Sequence, residues 1–246
     1  MSEFSRRDFL RFGATGLAVA GSTSLLLRSD AAPTPDSGEL GAYGDVTPAK
    51  PTGIAPIGST PTPANPVLKV TESNILGPFH RSGAPFRGKV TPPLEPGKVL
   101  LISGRVWSYQ TKKPLANAIL DIWQANDAGR YDNDNRENPP SKNVFLNRAR
   151  LATDENGFYE FETIMPGHYM NGDQFRPAHI HYWVRAEGHR ELVTQLYFEK
   201  DPYNEIDPFI RRSLIIALKS VKATQGEYRS GTFDIVLAAS ARPIKP

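Results

Sequence analysis

His179 and His181 are one residue apart in the run Arg176-Pro177-Ala178-His179-Ile180-His181. Side chains on a β-strand alternate between faces, so residues two apart point the same way, about 7 Å from each other along the strand. The continuation Tyr182-Trp183-Val184 is aromatic and β-branched, which predicts a strand. Two imidazoles on one strand face suit a metal ion, because the backbone sets their spacing before the metal arrives. The same spacing also describes two half-exposed histidines on an edge strand, so the pair alone leaves both readings open. Pro177 biases Arg176 toward an extended conformation and puts a guanidinium at the strand's threshold. That Arg could equally pair with Asp173 or another surface carboxylate. Two further segments carry tyrosines beside turn signals: Trp123-Gln124-Ala125-Asn126-Asp127-Ala128-Gly129-Arg130-Tyr131 and Pro166-Gly167-His168-Tyr169. Taken singly, Tyr131 and Tyr169 read as turn residues packed on a sheet.

The elements that must position these groups are strands. Val99-Leu100-Leu101-Ile102 runs on to Gly104-Arg105-Val106-Trp107, and Asn117 to Trp123 follows a Lys113-Pro114 turn. After Asp154-Glu155-Asn156-Gly157 comes Phe158-Tyr159-Glu160-Phe161-Glu162-Thr163, with a clear period of two. Leu192 to Phe198 and Thr232 to Leu237 complete the set. Short strands at this spacing predict an all-β fold, a β-sandwich with long loops and at most short helices. Pro208 to Leu218 is the one helical candidate, a short helix or helical turn covering the sandwich. The hairpin-like run from Gly104 to Phe161 would also suit a small binding module without catalysis, so fold alone does not give function.

The 246 residues are 39% hydrophobic and 22% charged with a formal net charge of +3, an ordinary balance for a soluble protein. Acidic and basic residues are interspersed, and there is no basic stripe of the kind nucleic-acid binding needs. Ser5-Arg6-Arg7-Asp8-Phe9-Leu10 is a twin-arginine pattern, followed by a weakly apolar run from Phe12 to Leu27. Residues 1–31 therefore read as a twin-arginine signal peptide, with Ser29-Asp30-Ala31 as the cleavage site and a mature chain beginning near Ala32. This predicts delivery by the twin-arginine export machinery to a periplasmic or extracellular location. That route carries folded proteins, often with a cofactor already installed, a second pointer to a bound metal. Residues 32–66 are rich in Pro, Gly and Thr and read as a linker, leaving 67–246 as the folded domain. The chain has no cysteine, so any metal must be held by nitrogen and oxygen donors.

Taken in order, the segments make the chain resemble the intradiol ring-cleavage dioxygenases, the family of catechol 1,2-dioxygenase and protocatechuate 3,4-dioxygenase. The resemblance runs from about Thr71 to Phe198. It includes Ile75-Leu76-Gly77-Pro78-Phe79, the Trp123 to Tyr131 segment, Pro166-Gly167-His168-Tyr169, Arg176 to His181, and Gly188-His189-Arg190 leading to Thr194-Gln195-Leu196-Tyr197-Phe198. It implies a single Fe(III) held by Tyr131, Tyr169, His179 and His181, with Arg176 and Gln195 facing the substrate. Anionic oxygen donors favour Fe(III), and a trivalent cation favours phenolate over phenol. The substrates implied are a catecholic small molecule and O2, both oxygen atoms entering a muconate-type diacid. Tyr169 would leave the metal and take up a catechol proton, Arg176 would stabilise negative charge on the ring, and Gln195 would help orient it. Gly77 to Arg87 and Asp127 to Asn143 are expected to select the substrate, whereas His80, His168 and His189 fall outside the ligand set as structural or surface residues. The signal and linker stand where catechol 1,2-dioxygenases have a long helical region, so the chain is nearer the protocatechuate type. Members of that type pair unlike subunits, and for this chain an unlike partner and a homo-oligomer both stay open.

Two other readings accompany this one. The chain could be a non-catalytic exported β-sandwich binding module, or it could place His179 and His181 with a carboxylate around a divalent ion.

Overall fold

Strands form where the pattern alternates, and the alternation also decides which face each residue takes. The computed structural model describes residues 68–224 and 226–240. The twin-arginine segment, the linker and Val67 lie outside the described residues. The strands are β1 (Val99–Ser108), β2 (Ile119–Gln124), β3 (Arg148–Ala152), β4 (Phe158–Ile164), β5 (Tyr169–Asn171), β6 (Gln174–Arg176), β7 (His179–Arg185), β8 (Leu192–Phe198), β9 (Ile215–Ile216), β10 (Lys219–Ala223), β11 (Gly226–Thr232) and β12 (Ile235–Leu237).

Among the described residues, two five-stranded sheets and a two-stranded hairpin account for these strands. In the first sheet, the long β1 is central: it pairs with β4 along one edge and with β11 and then β12 along the other, while β10 closes the far side. The second sheet runs β3-β2-β7-β8-β9. Between the two lies the core, with Leu100, Ile102, Val106 and Phe161 from the first sheet facing Leu120, Ile122, Ile180, Tyr182, Val184 and Leu196 from the second. Full burial of such side chains stabilises the fold by about 1.5–3 kcal/mol each.

Three features depart from the sequence-based expectation. The stretch Pro208–Leu218 is not helical beyond a 3-10 turn at Arg212–Leu214. The turn has no side-chain cap and no acidic residue in its first turn, and the chain is already extended at Ile215. There the β-branched pair Ile215-Ile216 completes the second sheet by pairing in parallel with Tyr197 and Phe198. The run from Gly104 to Phe161 is not a hairpin either. Pro114 bridges back to Trp107, Asn117 turns with φ +57°, and β2 then joins the other sheet, while β4 returns to pair with β1. Strands β3, β10 and β11 carry too many charged and small residues for a hydrophobic pattern to reveal them: Arg148-Ala149-Arg150-Leu151-Ala152 alternates Arg with apolar residues, and Lys219-Ser220-Val221-Lys222-Ala223 is a lysine-bearing edge.

Candidate metal centre

The second sheet has one face on the core and another that would be open were it not covered by loops. Because directly opposed residues in antiparallel strands share a face, the register defines that outer surface row by row. One row reads Arg148, Trp123, His181, Gln195; beside it His179 lies opposite Tyr197, and on the other side Asp121 lies opposite Trp183. On β7 the alternation is complete: Ile180, Tyr182 and Val184 enter the core, while His179, His181 and Trp183 face outward under the loops. The loops leave His179 and His181 almost wholly buried, at 2% and 1% exposure.

Two of these loops carry the tyrosines. The first is a tight turn in which the Asn126 side chain accepts hydrogen bonds from the amides of Ala128 (3.1 Å) and Arg130 (2.8 Å), delivering Tyr131 to the sheet. The second passes directly over it, with the Gly167 amide donating to the Asn126 carbonyl at 2.8 Å. The loops touch backbone to backbone through a glycine from each side. A Cβ on Gly129 would stand 2.0 Å from the His168 carbonyl oxygen, and one on Gly167 would stand 2.3 Å from that of Asp127. Tyr169 then opens the β5–β6 hairpin, whose tight turn carries Gly172 at φ +66°. The hairpin register sets Tyr169 opposite Arg176.

The four rings form a closed circuit. Ring centroids are separated by 5.6 Å for Tyr131 and Tyr169, 5.6 Å for Tyr169 and His179, 4.9 Å for His179 and His181, and 6.2 Å for His181 and Tyr131. Phe79 stacks on Tyr131 at 4.2 Å, Trp123 stacks on His181 at 4.7 Å, and Gly77 lies against the His181 ring. His179 Nδ1 donates to the Pro177 carbonyl at 2.7 Å, which fixes the tautomer and turns the lone pair of Nε2 toward the circuit. The Tyr131 hydroxyl and both His181 ring nitrogens are buried with no protein partner, a costly state for polar groups unless something else binds them. Burial, reinforced by Arg176, holds His179 down to about 3. Burial and then the neighbouring His179 hold His181 well below the usual imidazole range. Burial and then Tyr169 push the Tyr131 phenol well up, against a weaker downward pull from Arg176 and Arg148. Two neutral imidazoles and a phenol that ionises only beside a cation are a donor set suited to a hard, highly charged metal ion. Among the described residues no group of three or more His, Cys, Asp or Glu could hold a metal, so His179 and His181 have no carboxylate for a divalent site, and the set reaches four donors only through the tyrosines.

Buried carboxylates lock this arrangement. Asp132, next to Tyr131, takes hydrogen bonds from Arg148 Nε (2.8 Å) and Arg81 Nη1 (2.7 Å). Asp201 accepts from His168 (2.8 Å), next to Tyr169, and from the Ala178 amide (3.0 Å), next to His179. Asp207 accepts from Arg176 Nη2 (2.8 Å) and Nε (3.2 Å). Asp207, not Asp173, is thus the partner of Arg176, and the pair is buried, with side chains 3% and 1% exposed. Burial alone would lower the Arg176 pKa, but the bond to Asp207 and the nearby phenols raise it above the usual guanidinium range, so the charge is permanent. Its Nη1 reaches Tyr169 Oη at 3.4 Å and His179 Nε2 at 3.5 Å, while Nη2 donates to Gln195 Oε1 at 3.1 Å. The Gln195 amide is committed on both sides, since Nε2 donates to the Ile75 carbonyl at 2.8 Å. His80 packs edge-on against Trp123 and Trp183, behind the His181 ring rather than in the circuit.

Sequence reasoning missed Asp132, Asp201 and Asp207. Asp207 stands just before Pro208, the start of the helix expected there, and nothing local marks any of the three as a partner of the site.

The family model described as dioxygenase matches residues 78–239. Chlorocatechol 1,2-dioxygenase of Rhodococcus opacus is 31% identical over 189 residues, covering 68% of this chain and 72% of that one. The protocatechuate 3,4-dioxygenase beta chain of Burkholderia cepacia is 38% identical over 155 residues, 57% of this chain and 65% of its own length. Among solved structures, the dioxygenase domain of a dioxygenase carbohydrate-binding protein fusion from Streptomyces sp. SirexAA-E is covered in full, at 32% identity and a TM-score of 0.60 over 70% of this chain. The chain belongs to the intradiol ring-cleavage dioxygenases, a family of oxidoreductases.

Proposed function

We propose that this chain is an exported Fe(III) dioxygenase that cleaves a catecholic ring between its two hydroxylated carbons, giving a muconate-type diacid. The observation that carries the reading is the closed circuit of Tyr131, Tyr169, His179 and His181, with the permanent charge of Arg176 against two of its members. These four residues would hold the ion, and bound Fe(III) would keep the phenols ionised and draw electron density from a bound catechol so that O2 attacks the ring. The imidazoles are already neutral and give up no proton on binding.

The two phenols would then play different parts. Tyr131 is 4% exposed, stacked on Phe79 and adjacent to the Asp132 anchor, a fixed ligand. Tyr169 is half-buried on a hairpin separate from both large sheets, and its hydroxyl faces Arg176. Its Oη can leave the circuit and take up a catechol proton. Arg176 Nη1, held by Asp207 and Gln195, supplies a preorganised donor for negative charge developing on the ring. Gln195 orients the ring through Arg176 and through the Ile75 loop.

The test is the visible spectrum of the purified protein with iron quantified in the same sample, before and after anaerobic addition of catechol. The expected result is a broad charge-transfer band with about one iron per chain, shifting on catechol, followed by ring cleavage in air. A colourless protein that stays unreactive after Fe(III) reconstitution would instead support a binding module. The motivation for export is the Arg6-Arg7 pattern; replacing both with Lys and fractionating cells should leave the protein in the cytoplasm, and unchanged export would refute it.

A further inference from the structure

Beside the two tyrosines lies a cleft of about 330 Å³ bounded by Phe79, Tyr131, Tyr169, Met170 and Phe175. Met170 and Phe175 are cross-strand partners on the β5–β6 hairpin. They are left 50% and 40% exposed, an apolar wall in water at the edge of the candidate site. An engineered cavity of about 150 Å³ is enough to bind benzene, so this space exceeds what a single ring needs.

Both basic groups at the cleft stand beside a carboxylate. Arg130 Nε is 2.7 Å from Asp134 Oδ2, and His168 is 2.8 Å from Asp201. Behind the tyrosines, Arg81 and Arg148 both meet Asp132, and Arg176 meets Asp207. A carboxylate entering the cleft would face Asp134 and, among the described residues that line it, no cation without a carboxylate partner. An apolar group would cover Met170 and Phe175 and displace water from both.

We infer that the ring substituent of the substrate occupies this cleft, and that the favoured substrates are uncharged catechols carrying an apolar group up to the size of a phenyl ring. This rests on the ring-cleaving reading above. Phe79 and Phe175 supply flat walls for an aryl group, and the unbranched Met170 adapts its shape to it.

The experiment is an anaerobic titration of the iron-loaded full chain with catechol, 4-phenylcatechol and 3,4-dihydroxybenzoate, read as the shift of the visible band. The expected order is 4-phenylcatechol about ten-fold tighter than catechol and 3,4-dihydroxybenzoate about ten-fold weaker. Met170→Lys, and independently Phe175→Lys, should each move the ratio of phenyl to carboxylate affinity toward the carboxylate by about ten-fold or more. A parent protein that binds 3,4-dihydroxybenzoate as well as 4-phenylcatechol overturns the inference, as does an unmoved ratio in both folded variants. Catechol separates the two levels of failure: if it shifts the band but the order is wrong, only the cleft assignment falls; if it shifts nothing, the ring-cleaving reading falls with it.

Discussion

Asp207 touches no proposed ligand, yet its loss should be felt in both stability and catalysis. Substituting Asp207→Leu leaves the Arg176 guanidinium buried without its carboxylate, and the two hydrogen bonds at 2.8 and 3.2 Å go with it. Breaking a buried pair by removing one partner costs about 3–5 kcal/mol. In a domain of this size, each kcal/mol is worth about 2–4 °C, so thermal unfolding followed by circular dichroism should show a Tm lower by about 6–20 °C. Arg176 would also lose the contact that aims Nη1 at Tyr169 and His179, and kcat/KM for catechol should fall by about 100-fold, as when a preorganised donor is removed. The double variant Arg176→Met/Asp207→Leu completes the cycle. It strands no charge, so its Tm should recover part of the loss while activity stays low. A single variant melting within about 2 °C of the parent, or a double variant less stable than the single, would refute the claim that Asp207 neutralises a buried Arg176.

Other outcomes follow from the same geometry. Tyr131→Phe should load little iron, whereas Tyr169→Phe should retain iron with a shifted band and lose turnover; full ring cleavage by Tyr169→Phe at normal iron content would rule out its role as proton acceptor. Iron uptake by the metal-free protein should strengthen as pH rises from about 6 to 9, because protons must leave the phenols and none leave the imidazoles; competition against a chelator measures this. His179 is held at about 3 in the fold, while the unfolded chain protonates it near 6.5. Stability of the metal-free protein is thus fully present above about 6.5 and should be lost progressively as pH falls toward 3, seen as a declining urea midpoint. Gly129→Ala would drive a methyl into the His168 carbonyl at a φ of +74° and should cost more than about 1 kcal/mol, with iron lost in parallel; a variant of parental Tm and iron content would show that the tyrosine loops do not need this contact.

The parts of the fold visible in the sequence are those where one face is apolar. Leu192–Phe198 was expected as a strand and β8 has those bounds, because its core face alternates with a face covered by loops. Strands β10 and β11 leave no pattern in the sequence, because Lys219, Lys222, Glu227 and Arg229 give them no apolar stripe. The candidate site divides in the same way. His179 and His181 announce themselves by a local spacing of two, whereas nothing local marks Tyr131 and Tyr169: only the resemblance across ordered segments names them, and the Asn126 turn and the Gly129–Gly167 contact supply the physical reason that they meet the histidines. Arg176 was legible as a group at the strand's threshold, and its partner was not, since 31 residues separate it from Asp207 in the chain.

The two-sided character of β7 constrains how this protein can change. Its odd-numbered positions hold the imidazoles and its even-numbered ones hold the core. Deleting or inserting one residue between Pro177 and Val184 would exchange the two sets, pushing histidines into the apolar interior and Ile180 and Tyr182 out under the loops. A shift of two would restore the parity yet move each imidazole by about 7 Å, out of reach of the tyrosines. Length variation in natural relatives should therefore collect in the loops over the sheet, while this strand stays fixed in length: the loops can explore new substrates without touching the frame that holds the ion.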